Sequence, residues 1–177
     1  MERTKGEITH KFRWFWAWQD DKEEEWLGEM SRLGLHLEKT EPFGFYSFTH
    51  GKPSAYIYRL DFQSGSLKGK EDYFQLFRDA GWEWIGNMGG WQYFRKESKA
   101  DETPEIFTDN ESKIAKYKRL LGYALIFLPI YTSTMVVWTG NVSPFIQIFR
   151  AIFSLVMILL LWMMVKVWLR IRQLQKL

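Results

Sequence analysis

Glu25-Trp-Leu-Gly-Glu-Met-Ser-Arg-Leu-Gly-Leu-His-Leu37 and, 47 positions later, Asp72-Tyr-Phe-Gln-Leu-Phe-Arg-Asp-Ala-Gly-Trp-Glu-Trp84 decide how the first half of the chain is read. Apolar residues fall at i, i+1, i+4 and i+7 in both: Trp26, Leu27, Met30 and Leu33, then Tyr73, Phe74, Phe77 and Ala80. That spacing lays one stripe along a helix, and the glycine that follows, Gly34 or Gly81, suits a left-handed C-terminal cap. The same offset sets Leu35, Leu37 and Tyr46 against Trp82, Trp84 and Tyr93. The spacing predicts helices over residues 21–33 and 70–80. Acids crowd their first turns (Asp20, Asp21, Glu23, Glu24 and Glu25; Glu71 and Asp72), where they oppose the helix dipole.

Outward from each helix lie alternating aromatic segments. Residues 11–18 and 55–62 precede the helices; residues 35–40 with 43–49, and 82–87 with 91–96, follow them. Glu41-Pro42, Gly51-Lys52-Pro53 and Gly89-Gly90 supply the turns. The expected unit is β-α-β-β used twice, an internal repeat. Two such units make an α+β domain over residues 11–97 with one antiparallel sheet and both helices on one face. A polar tail, residues 1–10, precedes it.

Strand alternation sorts residues onto faces. Phe12, Trp14, Trp16 and Trp18, with Tyr56, Tyr58, Leu60 and Phe62, are the expected core side. The opposite side carries Arg13, Phe15, Glu38, Tyr46, Phe48, Arg59 and Glu83, which mix aromatic rings with both charge signs. This second face has two readings: a recognition surface or ligand groove, or an exposed sheet face with cross-strand ion pairs among Arg13, Arg59, Asp61 and Glu83.

Residues 120–138 are nineteen without a charge, and 151–165 fifteen more. At ~1.5 Å per residue the first covers roughly a ~30 Å hydrocarbon layer. The second is extended by flanking apolar residues and by snorkelling of Arg150 and Lys166. Residues 139–144 are turn chemistry, with Ser143 as N-cap and Pro144 at the first helical position. The expectation is a two-helix transmembrane hairpin (about 120–138 and 147–169) after a basic helix, all within residues 113–177. Lys113, Lys116, Lys118 and Arg119 precede it and Arg170, Arg172 and Lys176 follow, so both termini are expected in the cytosol.

Net charge is −1 over residues 1–99, −5 over 100–111 and +9 over 112–177. The excess of base is thus a membrane-flank property, and the near-neutral remainder argues against a nucleic-acid partner. Residues 98–112, acidic and aperiodic, read as a linker. The absence of cysteine removes disulfides, thiolate metal sites and a cysteine nucleophile. Residues 1–10 hold no apolar core of a signal peptide, so the hairpin is expected to direct insertion. His10, His36 and His50 lack metal-ligand spacing. Phosphate-loop, dinucleotide and nucleophile-elbow motifs are missing, Gly86-Asn-Met-Gly-Gly90 reads as a hairpin turn, and Glu23-Glu-Glu25 as a helix-start charge run. No cofactor is implied and no enzyme activity is expected.

Phe12-Arg-Trp-Phe-Trp-Ala-Trp-Gln-Asp-Asp-Lys-Glu-Glu-Glu-Trp-Leu, Tyr58-Arg-Leu-Asp-Phe, Leu76-Phe-Arg-Asp-Ala-Gly-Trp-Glu and Tyr93-Phe-Arg-Lys together resemble bacterial domain-of-unknown-function family 2812. The resemblance spans roughly residues 11–96 and extends to the juxtamembrane segment and paired apolar helices. It implies no activity; it does imply genes often adjacent to PadR-type transcriptional regulators, hence a link to membrane signalling. The expected function is a membrane-anchored, non-enzymatic cytosolic sensor or protein-interaction module in the bacterial cytoplasmic membrane. Its partners would be the lipid bilayer and a PadR-type regulator or another membrane protein. A small-molecule-binding domain with an aromatic cleft is the alternative, and there Glu38 and Glu83 would favour hydrophobic cations.

Overall fold

The computed structural model describes residues 7–63, 71–98, 110–137 and 143–176. The chain divides into two compact units, 1–108 and 109–177, each described by itself. The expected strand-to-helix loop after Gln63, most of the acidic linker, and the turn at 139–142 with Trp138 lie outside the described residues.

In the first unit, strand, helix, strand, strand occurs twice in succession. The elements are β1 (Ile8–Phe12), α1 (Asp20–Arg32), β2 (Leu35–Glu41), β3 (Phe45–His50), β4 (Tyr56–Phe62), α2 (Glu71–Asp79), β5 (Glu83–Met88) and β6 (Trp91–Glu97). They form two antiparallel three-stranded sheets, β1-β3-β2 and β4-β6-β5, where one sheet was expected. The facing edges β2 and β5 explain the division. Register slips between Leu37 and Lys39 and again between Trp84 and Gly86. Such bulges bend an edge and interrupt ladder pairing. A void of about 40 Å³ bordered by Leu37, Thr40, Ile85 and Gly86 marks the seam.

The helices cover opposite faces of the second sheet, which corrects the expectation of both on one. Trp26 and Leu27 of α1 pack on Leu37, Tyr46, Phe48, Tyr58, Leu60 and Tyr93, drawn from both sheets. Phe77 of α2 packs instead with Trp82 and Phe94, beside Ile57. Tyr58 and Ile57, like Tyr93 and Phe94, are consecutive in one strand and therefore point to opposite sides. The cap glycines behave as their positions demand: Gly34 has φ 77° and Gly81 φ 80°.

The core side expected of β4 is correct, with Tyr58, Leu60 and Phe62 all buried. That expected of residues 11–18 is not. β1 begins at Ile8, inside the stretch read as a tail, and ends at Phe12; Phe12, Trp14 and Trp16 are exposed. The partner strand explains this, because β3 starts only at Phe45, opposite Phe12. Before it the chain turns away through Pro42–Gly44, with Phe43 at φ 63° and Gly44 at φ 81°. Beyond the Arg13 N–H, which donates to the Gly44 carbonyl at 2.8 Å, no ladder remains for Trp14 to join.

The second unit holds α3 (Asn110–Leu125), α4 (Phe127–Val137) and α5 (Pro144–Leu174). The first apolar run is therefore two helices meeting at Ile126, and the expected hairpin of two long apolar helices is corrected to one. Pro129 gives the reason: it has no N–H for the Leu125 carbonyl, and its ring crowds that carbonyl. Among the described residues α5, 31 residues long, is the one helix long and apolar enough to cross a membrane, and 6 % of its most apolar eighteen-residue stretch is buried. Phe145, Ile148, Ile152, Leu155 and Ile158 are all exposed, unlike the core helix of a soluble protein. α4 touches α5 through the Tyr131 and Ser154 hydroxyls, 3.2 Å apart, and the Tyr131 and Phe153 rings.

Candidate functional site

Both halves of the first unit wall a cleft of about 270 Å³. This is near the lower end of the roughly 300–1,000 Å³ typical of small-molecule sites. Exposed Trp14, Trp16 and Phe43 stand at its mouth, Trp91 forms a further wall, and buried Asp20, Glu23, Tyr46 and Tyr93 form its deep end. Local geometry places the mouth. The Trp16 N–H donates to Gln19 Oε1 (3.1 Å) while the Gln19 N–H donates to the Trp16 carbonyl (2.8 Å), closing a tight turn into α1. Trp16 stacks on Trp18 at 5.3 Å with rings 8° from parallel. Phe43 holds a left-handed backbone conformation that bulky residues rarely adopt, a form of strain that concentrates at functional sites.

At the deep end, the hydroxyls of Tyr46 and Tyr93 both donate to Glu23 Oε1, at 2.8 and 2.7 Å. These tyrosines are the two that the 47-residue sequence offset sets against one another. Burial pushes the Glu23 carboxyl above its ordinary value; the two hydroxyls oppose that shift and the nearby Asp20 charge adds to it. Burial and the Glu23 charge push both phenols upward, so they stay protonated as donors.

Of the residues expected on a second face, Phe15 and Tyr46 meet in the cleft and the others lie apart from it. Tyr46 and Phe48 are core residues, with 3 % and 0 % exposure, which removes them from any solvent face; Tyr46 nevertheless lines the cleft. Phe15 also lines it, half-buried against Trp26. Arg13 lies outside, its guanidinium 5.2 Å from the Phe15 ring and 5.4 Å from that of Trp26. Arg59 pairs with Glu24 on α1 at 3.4 Å. The Glu24 carboxylate also accepts the outward Leu60 N–H of edge strand β4, at 2.7 Å. Glu83 pairs across the strands with Arg95 at 2.7 Å, and Glu38 sits exposed on the β2 bulge. Asp61 accepts the Tyr73 hydroxyl at 3.0 Å.

Sequence patterning does not single out Asp20, Glu23, Tyr93 and Trp91 as site residues, and it reads Glu23 as part of a helix-start charge run. The usable signal was the 47-residue offset, which sets Tyr46 against Tyr93 in the sequence. Of the expected membrane-flanking cations, Lys118 and Lys166 are exposed, and Arg119, Arg150 and Arg170 are half-buried. Lys116, expected at a wet interface, is instead buried, its ammonium 5.2 Å from the Tyr117 ring. His10, His36 and His50 bond separately to Ser47, the Lys52 carbonyl and Thr9.

Fold and site together define an α+β domain with an acid-ended aromatic cleft, followed by a helical unit whose long apolar helix suggests membrane association. The chain belongs to the family described as "Protein of unknown function (DUF2812)", whose model matches residues 19–129. That span holds Asp20, Glu23, Tyr46 and Tyr93 and begins after the Trp14–Trp16 mouth. No curated protein and no solved structure matches the chain.

Proposed function

We propose that this protein is a membrane-anchored, non-enzymatic sensor whose first unit takes up a small molecule in the aromatic cleft. One observation carries the reading: a buried carboxylate, held by two hydroxyls, closes the end of an open cavity with aromatic walls. A buried carboxyl whose side-chain partners among the described residues are two neutral hydroxyls is costly to a fold, and such groups concentrate at sites that use them. Occupancy would be passed to a protein partner, for which the family resemblance implies a PadR-type regulator. The exposed aromatic edge of Phe12, Phe43 and Phe45 is available for that contact.

The basic residues Lys113, Lys116, Lys118 and Arg119 ahead of the apolar region support a cytosolic first unit. Protease added to intact spheroplasts should spare the first unit; its digestion would refute this orientation.

The binding test titrates the full chain in detergent with one-ring solutes of positive, zero and negative charge, following tryptophan fluorescence. At least one should quench saturably. Ala17→Phe, which fills the cleft from its lining, should abolish the effect. No saturable response to any of the three would dismiss the cleft as a ligand site.

A further inference from the structure

We propose that the ligand of this cleft is a small organic cation, a ring-bearing amine or quaternary ammonium, with its charged head toward Asp20 and Glu23 and its body among the tryptophan and tyrosine rings. This rests on the reading of the cleft as a ligand site and adds the charge and shape of what enters.

Three observations converge. The two ionisable carboxyl side chains that line the cavity are both buried, with 4 % and 8 % exposure, and its lining includes no lysine, arginine or histidine among the described residues. An acidic lining without a base favours a cation over an anion as occupant. The walls are rich in aromatic rings, whose faces carry the negative lobe of the quadrupole and attract cations. The same surface already shows this preference, because the Arg13 guanidinium lies over Phe15, a lining residue, and over Trp26 behind it.

An anionic ligand is disfavoured on the same grounds. The start of α1 would ordinarily attract an anion, but Asp20, Asp21 and Glu23 already occupy that first turn. The volume, about 270 Å³, suits one ring with a compact head better than a fused polycycle.

The test uses three water-soluble benzyl compounds with tetrahedral heads on the full chain in detergent: benzyltrimethylammonium, benzyl methyl sulfone and benzylsulfonate. Calorimetric titration should rank the cation at least about tenfold tighter than the sulfone, a gap of ~1.4 kcal/mol, with the sulfonate weakest. Glu23→Gln and Asp20→Asn should each weaken the cation by about tenfold while leaving sulfone binding unchanged, which also reports that the cleft is intact. If Glu23→Gln fails to fold, Asp20→Asn carries the comparison. Sulfone or sulfonate binding as tightly as the cation would overturn the charge assignment and leave the ligand site standing. Cation binding unchanged in the folded variants would also overturn it. Failure of all three compounds to bind would overturn the site and the assignment together.

Discussion

Tyr93→Phe removes one of the two hydroxyls on Glu23 while keeping the ring in the core, so it isolates the bond from the packing. Tyr93 has 2 % exposure and its hydroxyl lies 2.7 Å from Glu23 Oε1. A hydrogen bond to a charged group contributes ~1.5–3 kcal/mol, against ~0.5–1.5 kcal/mol for a neutral pair. The cost of the substitution should therefore depend on pH. It should be about 2 kcal/mol at pH above the folded pKa of Glu23, where the carboxyl is ionised, and at most about 1 kcal/mol in acid, where it is protonated. Urea denaturation of the full chain in detergent, read by tryptophan fluorescence at both pH values, measures this. Tyr46→Phe should behave alike, and the double variant should depart from additivity because both hydroxyls serve one oxygen. A cost below about 0.5 kcal/mol with the carboxyl ionised, or one equal at the two pH values, would refute the hydroxyl–carboxylate clamp.

Glu23 also gives the wild-type protein a pH dependence of known sign. Its folded pKa is raised above the ordinary 4.5, so its contribution to stability is complete below 4.5 and is lost as pH rises through the folded value. Glu23→Gln should flatten that decline in a series of urea midpoints, and an unchanged slope would assign it elsewhere. Leu27→Ala, at a site with 0 % exposure where α1 meets both sheets, should cost ~2–5 kcal/mol in the same denaturation assay. Gly44→Ala should cost about 1 kcal/mol or more, because φ is 81° and an added Cβ would sit 2.7 Å from the Arg13 carbonyl oxygen. Thermal melts of that variant should fall, together with any binding that depends on where Phe43 stands.

Periodicity carried the helices and strands of the first unit, because apolar spacing reports a residue's own element. Asp20–Arg32 and Glu71–Asp79 lie within a residue of where the stripes place them. Alternation could not say which neighbour covers a face. Tyr46 and Phe48 were assigned to the open side because a single sheet with both helices above it was assumed, whereas α1 reaches across both sheets to bury them. Residues 13–18 alternate as a strand would, yet strand pairing needs a partner, and theirs turns off at Pro42–Gly44. Glu23 resembled any acid at a helix start, since its burial comes from tyrosines 23 and 70 residues further along the chain. The break at Ile126 is a further miss: the absence of charge over residues 120–138 reads as one span, whereas Pro129 inside that run interrupts the helix.

The most direct measurement is a crystal structure of the full chain with 4-bromobenzyltrimethylammonium, using the anomalous signal of bromine to place the ligand. The bromine peak should lie within the cleft among the Trp14, Trp16 and Trp91 rings, with the ammonium head beside Asp20 and Glu23 and the Tyr46 and Tyr93 hydroxyls still on the Glu23 carboxylate. A peak elsewhere on the protein, or an orientation that turns the charged head away from both carboxyls, would contradict the assignment.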